Sequence, residues 1–88
     1  AAIADGIRRY PQVLINVKVR TKPAFDRHDV ISSALRRAEE RLAGVGRVLL
    51  RYSGTEPLAR VMIEGTDEGA VRGAAEELAG VIRSEIGA

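Results

Sequence analysis

The chain has no cysteine and no tryptophan, and its aromatic residues amount to two tyrosines and one phenylalanine among 88 residues. Without cysteine, a disulfide framework and a thiolate metal site are both excluded, and such a composition suits a reducing cytosol. Tyr10, Phe25 and Tyr52 are too few and too scattered to build a base-stacking platform for single-stranded nucleic acid. The absences therefore argue against a disulfide-stapled domain and against stacking-based RNA recognition.

Long apolar runs and a strong charge of one sign are missing as well. No segment approaches the roughly 20 apolar residues that cross a bilayer, and no signal peptide opens the chain. The 14 basic residues are balanced by 12 acidic ones, so no polybasic surface is evident. We therefore expect a cytoplasmic protein without a nucleic-acid or membrane partner.

Recognisable catalytic motifs are also absent. The sequence contains no GxxxxGK[ST] loop, no Ser-His-Asp order typical of a hydrolase and no Asp and His cluster with metal-ligand spacing. His28 lies near a predicted helix start, where a place on the surface or beside the cap is favoured over metal binding. We expect neither a catalytic residue nor a metal ligand in this chain.

The length, with 45% hydrophobic and 30% charged residues, indicates one small folded domain. Residues 1–9 have weak amphipathic character and no clear N-cap. Tyr10-Pro11 then interrupts the chain, because the residue before a proline avoids helical backbone angles. We interpret residues 1–9 as a truncated linker segment and residues 10–88 as the domain.

Two kinds of periodicity predict the elements of that domain. Apolar residues at every second position predict strands, and apolar residues three and four positions apart predict amphipathic helices. Asp26 or Asp29 is expected to cap the first helix, and Thr66 or Asp67 the second. The predicted strands are 13–19, 47–52 and 60–64, and the predicted helices extend from these caps to residue 43 and to Gly87.

The resulting order, β-α-β-β-α, defines the expected fold class. Two amphipathic helices on one face of a small, mainly antiparallel sheet would bury every apolar stripe, so we predict an α+β domain. The same order occurs in small RNA-binding modules, which remain an alternative function. A docking domain without ligand chemistry is a further alternative function.

The turn Ser-Gly-Thr-Glu-Pro, between the second and third predicted strands, has an arginine on either side, Arg51 and Arg60. Like charges brought together across a hairpin repel, so the pattern makes sense if an anion sits between them. A positive φ at Gly54 would let successive amides form an anion nest, and Ser53 and Thr55 would add hydroxyl donors. A plain hairpin with solvated arginines explains the same residues, and both interpretations stay open at this point.

Two further polar residues, one in the turn and one in the first strand, need an explanation. Glu56 would repel a phosphate unless it pairs with an arginine or faces away from the ligand. Asn16 interrupts the apolar pattern of the first strand. A structural hydrogen bond is favoured for it over a ligand contact, because polar groups within strands are usually satisfied in this way.

Three stretches of the sequence resemble bacterial phosphoglucosamine mutases of the phosphohexomutase superfamily. They are YPQVLINVKV at residues 10–19, GRVLLR at 46–51 and RYSGTEPLARVMIEG at 51–65. The likeness extends from residue 10 to residue 86, nearly the whole chain. One departure is Tyr52, which stands where the family usually has proline and is expected to loosen the entry to the turn.

The resemblance implies a TATA-binding-protein-like C-terminal domain of an enzyme that interconverts glucosamine 6-phosphate and glucosamine 1-phosphate, on the route to UDP-N-acetylglucosamine and the cell wall. It implies a phosphoserine and a magnesium ion in other domains, which carry out phosphoryl transfer, so the isolated chain should be inactive. The implied partners are the phosphosugar and those other domains. The residues that match the family's phosphate-contacting positions are Arg51, Ser53, Gly54, Thr55 and Arg60.

Overall fold

The computed structural model describes residues 11–88, so the predicted linker segment 1–9 lies outside the described residues. The elements follow the predicted order β-α-β-β-α, with one short 3-10 turn before the first α-helix. Within this range no helix is long and apolar enough to cross a membrane. The strands are β1 (Gln12–Lys18), β2 (Gly46–Tyr52) and β3 (Leu58–Gly65), and the helices are α1 (Asp29–Arg41) and α2 (Glu68–Ile86).

The three strands form one antiparallel sheet in the order β1-β3-β2, with β3 in the centre. β2 and β3 form a hairpin, whereas the chain passes through α1 from one edge of the sheet to the other. β3 begins at Leu58, earlier than predicted, since the amide of Ser53 donates to the Leu58 carbonyl at 2.9 Å. The predicted α+β class with a mainly antiparallel sheet is confirmed.

One face of the sheet carries the core, and both helices pack against it. Alternate residues of β3, namely Ala59, Val61 and Ile63, are completely buried on this face. Burying a valine or isoleucine side chain contributes about 1.5–3 kcal/mol, so the core strongly specifies the register of the hairpin. The buried residues of the helices are Ile31, Ala34 and Ala38 in α1 and Val71, Ala74, Ala75, Leu78, Ala79, Ile82 and Ile86 in α2.

Helix α1 begins at a cap other than the predicted ones. His28, rather than Asp26 or Asp29, is the N-cap, because the amide of Ile31 donates to its Nδ1 at 3.3 Å. Asp29 follows as the first helical residue, where a negative charge interacts favourably with the positive end of the helix dipole. The cap thus lies between the two aspartates that the sequence predicted as alternatives.

The remaining helix boundaries agree more closely with the sequence. Asp67, one of the two predicted caps, accepts a backbone hydrogen bond at 3.2 Å at the start of α2. α1 ends at Arg41, two residues early, and Gly44 then turns the chain with a φ of 80°, which glycine adopts without strain. A Cβ at Gly46 would collide with the carbonyl of Glu64, so the lack of a side chain lets β2 start close to β3.

Candidate functional site

The turn that carries the predicted site connects β2 to β3 at residues 53–57. On either side of it, Arg51 and Arg60 stand directly opposite one another in the antiparallel ladder. Both side chains are exposed on the face away from the helices, because Ala59 and Val61 occupy the buried face. Cβ atoms of directly opposed residues lie about 5 Å apart, so the structure brings the two predicted arginines together.

The charges of this arginine pair are not neutralised within the described part of the chain. None of the ion pairs among residues 11–88 involves Arg51 or Arg60. Glu56, in the turn itself, is exposed and makes no ion pair in that range either, so the pairing considered for it is not found. Two neighbouring guanidinium groups without a carboxylate offer planar, multidentate donors to the oxygens of an anion.

Ser53 organises the turn from within. Its Oγ accepts hydrogen bonds from the amide of Thr55, at 3.4 Å, and from the amide of Glu56, at 3.2 Å. These bonds close a compact serine turn and leave the hydroxyl hydrogen of Ser53 available to a ligand. The amide of Gly54 has no acceptor among residues 11–88, so one amide, rather than a run of them, is free for an anion.

The backbone of Gly54 differs from the prediction. Within the described range Gly44 alone has a positive φ, so the left-handed conformation predicted for Gly54 is wrong. The turn reverses the chain without it, because the bonds to the Ser53 hydroxyl already close the loop. A Cβ at Gly54 would meet no atom within 4 Å, and Thr55 beside it is exposed, so the space above the turn is open to a ligand.

The connection between β1 and α1 supports this turn, and the sequence did not indicate it. Lys22 lies in that connection, and its Nζ donates to the carbonyl oxygen of Ser53 at 2.8 Å. The hydroxyl of Tyr52 donates to the carbonyl of Pro23 at 2.6 Å, and its ring stacks on Phe25 with the centroids 4.2 Å apart. The bond from Lys22 spans 31 positions in the sequence, and no periodicity indicates a contact over that separation.

Tyr52 anchors the entry to the turn, where the sequence led us to expect loosening. Burial raises the pKa of its hydroxyl above the ordinary value of 10.0, because a phenolate is disfavoured away from water. The hydroxyl therefore remains a donor to the carbonyl of Pro23. Side-chain contacts of Tyr52 take the place of the backbone restriction that a proline would supply.

Asn16 is the neighbour of Arg60 on β1, on the exposed face of the sheet. Its side chain makes no hydrogen bond to another residue of the described range, so the structural bond predicted for it is not found. Because the Asn16 amide is uncharged, it does not neutralise the charge of Arg60 beside it. His28, which was predicted to lie at the surface or beside the cap, is itself the N-cap of α1.

The arginine pair and its turn form an open surface. A cavity of about 380 Å³ lies at the opposite end of the hairpin, with Gly44, Arg47 and Glu64 among its walls. No group of three or more His, Cys, Asp or Glu side chains is placed to hold a metal ion in the part of the chain that the structure describes. Because the arginines and Gly54 are exposed, an anion bound at the turn would be contacted on one side and would face solvent on the other.

A family model for the C-terminal domain of phosphoglucomutase/phosphomannomutase matches residues 14–81. The chain belongs to this family. The phosphoglucosamine mutase of Alkalilimnicola ehrlichii is 49% identical over 83 residues, covering 94% of this chain and 18% of that protein. The phosphoglucosamine mutase of Symbiobacterium thermophilum is 46% identical over 86 residues, covering 98% and 19%. The chain thus spans about a fifth of the length of these curated relatives, and the predicted resemblance is confirmed.

Solved structures share the fold. An N-acetylphosphoglucosamine mutase of Aspergillus fumigatus, in complex with glucose 1,6-bisphosphate, has a TM-score of 0.74 and 22% identity over 88% of this chain and 16% of that chain. An N-acetylglucosamine-phosphate mutase of the α-D-phosphohexomutase superfamily, in a product complex, has a TM-score of 0.57 and 20% identity over 83% and 15%. A second structure of the Aspergillus fumigatus N-acetylphosphoglucosamine mutase is a complex with GlcNAc-6P and magnesium. These likenesses confirm the expected fold.

Proposed function

We propose that this chain is the substrate-phosphate-binding C-terminal domain of a phosphoglucosamine mutase, which interconverts glucosamine 6-phosphate and glucosamine 1-phosphate. The observation that carries the proposal is the unneutralised pair of Arg51 and Arg60, set opposite one another beside a turn with free donors. Membership of the family and the names of the curated relatives support it.

The donors of the turn suit a phosphate dianion. Arg51 and Arg60 each offer several N–H donors in one plane, and the Ser53 hydroxyl and the Gly54 amide add one donor each. A dianion between the guanidinium groups replaces their repulsion by charge-assisted hydrogen bonds, each typically worth about 1.5–3 kcal/mol. Thr55, exposed next to Gly54, supplies a further hydroxyl.

A site of this kind holds a phosphate without transforming it. The described residues contain no cluster of ligands that fits magnesium, so we assign the metal and the phosphoserine of the reaction to parts of the enzyme outside this chain. Because the turn contacts only phosphate, the sugar can present a phosphate from either end to the same donors. Fixed donors then orient the substrate for chemistry elsewhere in the cleft. The partners in this proposal are the phosphosugar and the other domains of one cytoplasmic enzyme.

The RNA-binding alternative is not favoured. An RNA-binding sheet needs aromatic side chains on its open face. Within residues 11–88, Phe25 and Tyr52 stack on one another instead. The open face carries Leu14, Met62 and Leu49 in a row across the three strands. Aliphatic side chains at these positions give bases no ring on which to stack.

The isolated chain should have no mutase activity. Covalent phosphoryl transfer needs a nucleophile that is activated by a base or a metal. The donors that we assign to this turn bind phosphate, and we assign no activating base or metal to them. A coupled assay with glucosamine 6-phosphate, a bisphosphate activator and magnesium tests the expectation. Turnover by the purified 88-residue chain above a no-protein control would contradict it.

Phosphate binding is tested by adding inorganic phosphate to the isotope-labelled chain and following its amides by NMR. We expect the amides of Ser53, Gly54 and Thr55 to shift first, with a millimolar dissociation constant, which corresponds to about −4 kcal/mol. Added sodium chloride should weaken the response, because the site is exposed and its charges are screened. Shifts scattered over the helices, or none at tens of millimolar phosphate, would refute the proposal.

A further inference from the structure

Lys22 lies outside the turn, yet it contacts the turn at one atom. Its Nζ donates to the carbonyl oxygen of Ser53 at 2.8 Å. That carbonyl belongs to the same peptide unit as the amide of Gly54, and the unit is trans, since the described residues contain no cis peptide bond. In a trans peptide the C=O and N–H groups point in opposite directions, so a cation that holds the carbonyl also directs the Gly54 N–H.

No other hydrogen bond within residues 11–88 involves this peptide unit. The amides of Thr55 and Glu56 are bound to the Ser53 hydroxyl, and neither the Ser53 carbonyl nor the Gly54 amide has another partner in that range. Gly54 has no side chain and open space around it, so rotation of the unit meets little steric resistance. Without Lys22, the unit can turn its carbonyl oxygen toward an incoming anion.

Tyr52 keeps Lys22 within reach of its acceptor. The carbonyl that accepts from the Tyr52 hydroxyl belongs to Pro23, the residue after Lys22. The ring of Phe25, two residues further on, stacks on the Tyr52 ring. The connection is thereby held against the last residue of β2, so less conformational freedom is lost when the lysine side chain contacts Ser53.

We propose that Lys22 is a positioning residue of the anion site: it holds the peptide between Ser53 and Gly54 so that the Gly54 N–H is directed to the bound phosphate. This inference rests on the proposed function. It gives the connection between β1 and α1 a part in a site otherwise built from the hairpin. Lys22 acts through the peptide, because its ammonium group donates to the carbonyl oxygen of Ser53.

The test compares three variants of the 88-residue chain. Lys22→Met keeps the length of the side chain and removes its charge, whereas Lys22→Arg retains a cationic donor. Arg27→Met is the matched control, since Arg27 is exposed in the same connection and makes no side-chain hydrogen bond or ion pair with residues 53–57. Each variant is titrated with inorganic phosphate by amide NMR, and the Gly54 amide resonance is also recorded before phosphate is added.

We expect Lys22→Met to displace the Gly54 resonance in the phosphate-free chain and to weaken phosphate binding about fivefold. Lys22→Arg should restore most of both properties. Arg27→Met should leave the resonance in place and change the affinity by less than about twofold, because screening weakens distant exposed charges.

Two results would overturn the role of Lys22 while leaving the proposed function standing. One is that the wild-type chain responds to phosphate and Lys22→Met shows the same Gly54 resonance and the same phosphate affinity as the wild type. The other is that Arg27→Met loses as much phosphate affinity as Lys22→Met, which would show that the loss comes from the change in net charge. No response of the turn in the wild-type chain would overturn the proposed function, and this inference with it.

Discussion

Strand β2 carries two arginines on the same face of the sheet, and the residues opposite them on β3 differ in the sign of their charge. At one end Arg47 stands opposite Glu64, and its Nε lies 2.7 Å from the carboxylate Oε2. At the other end Arg51 stands opposite Arg60, and neither has an ion-pair partner among residues 11–88. An opposite-charge pair across a ladder contributes roughly 0.2–1 kcal/mol, whereas a like-charge pair is destabilising.

The difference distinguishes the end of the hairpin that serves the fold from the end that is open to a ligand. Both ends depend on one core, in which Ala59, Val61 and Ile63 are completely buried. A slip of one residue in the register would turn these side chains outward and the arginines inward, so the core does not permit it. The fold therefore holds Arg51 opposite Arg60 in spite of their repulsion, and the anion that we propose for this site would remove that cost.

The largest expected effect concerns phosphate affinity. Arg51→Ala removes a charge-assisted contact that typically contributes about 1.5–3 kcal/mol, so the dissociation constant for inorganic phosphate should rise about tenfold or more. Arg47→Ala removes the same charge from the same strand, but the affinity should stay within about twofold, because this arginine is paired with Glu64. NMR titration of both variants measures the difference. Equal losses would abolish the distinction between the two ends.

A smaller effect is expected on stability when the charge pattern is exchanged. Arg60→Glu places a carboxylate opposite Arg51, so the free energy of unfolding should rise by roughly 0.2–1 kcal/mol, while phosphate binding should be lost. Glu64→Arg creates a like-charge pair opposite Arg47 and should lower the free energy of unfolding by a similar amount. Urea denaturation measures both changes. A less stable Arg60→Glu would mean that the arginine pair is not a source of strain in the free chain.

The smallest effect is expected for an arginine remote from both ends. Arg37, on α1, lies 3.7 Å from Glu77, and both side chains are about half exposed. Exposed pairs of this kind contribute little, so Arg37→Ala should change the free energy of unfolding by less than about 0.5 kcal/mol and leave phosphate affinity unaltered. Denaturation and titration check the two quantities. A marked loss of phosphate affinity would indicate that the overall charge, rather than contact at the turn, governs binding.

The order of elements and the face that each buries were predictable from local patterns. Val17 in β1 and Val19 just after it alternate onto the buried side, while Asn16 and Lys18 lie exposed. This alternation follows from strand geometry alone and can be recognised within a few residues. The cap of α1 was less predictable, because neighbouring polar residues compete for the same backbone amides, and His28 rather than an aspartate accepts the bond.

The sequence alone was enough to predict that the five proposed site residues lie at the turn end of one hairpin, because they fall within ten positions, from Arg51 to Arg60, around residues that favour a reversal of the chain. That these two arginines stand directly opposite one another follows from the folded domain, since the register depends on which side chains the core buries. The tertiary structure also decided that Lys22 reaches Ser53, because that bond requires the connection after β1 to be packed against β2. Contacts between segments far apart in the chain have no local period, so their positions emerge only when the domain is folded.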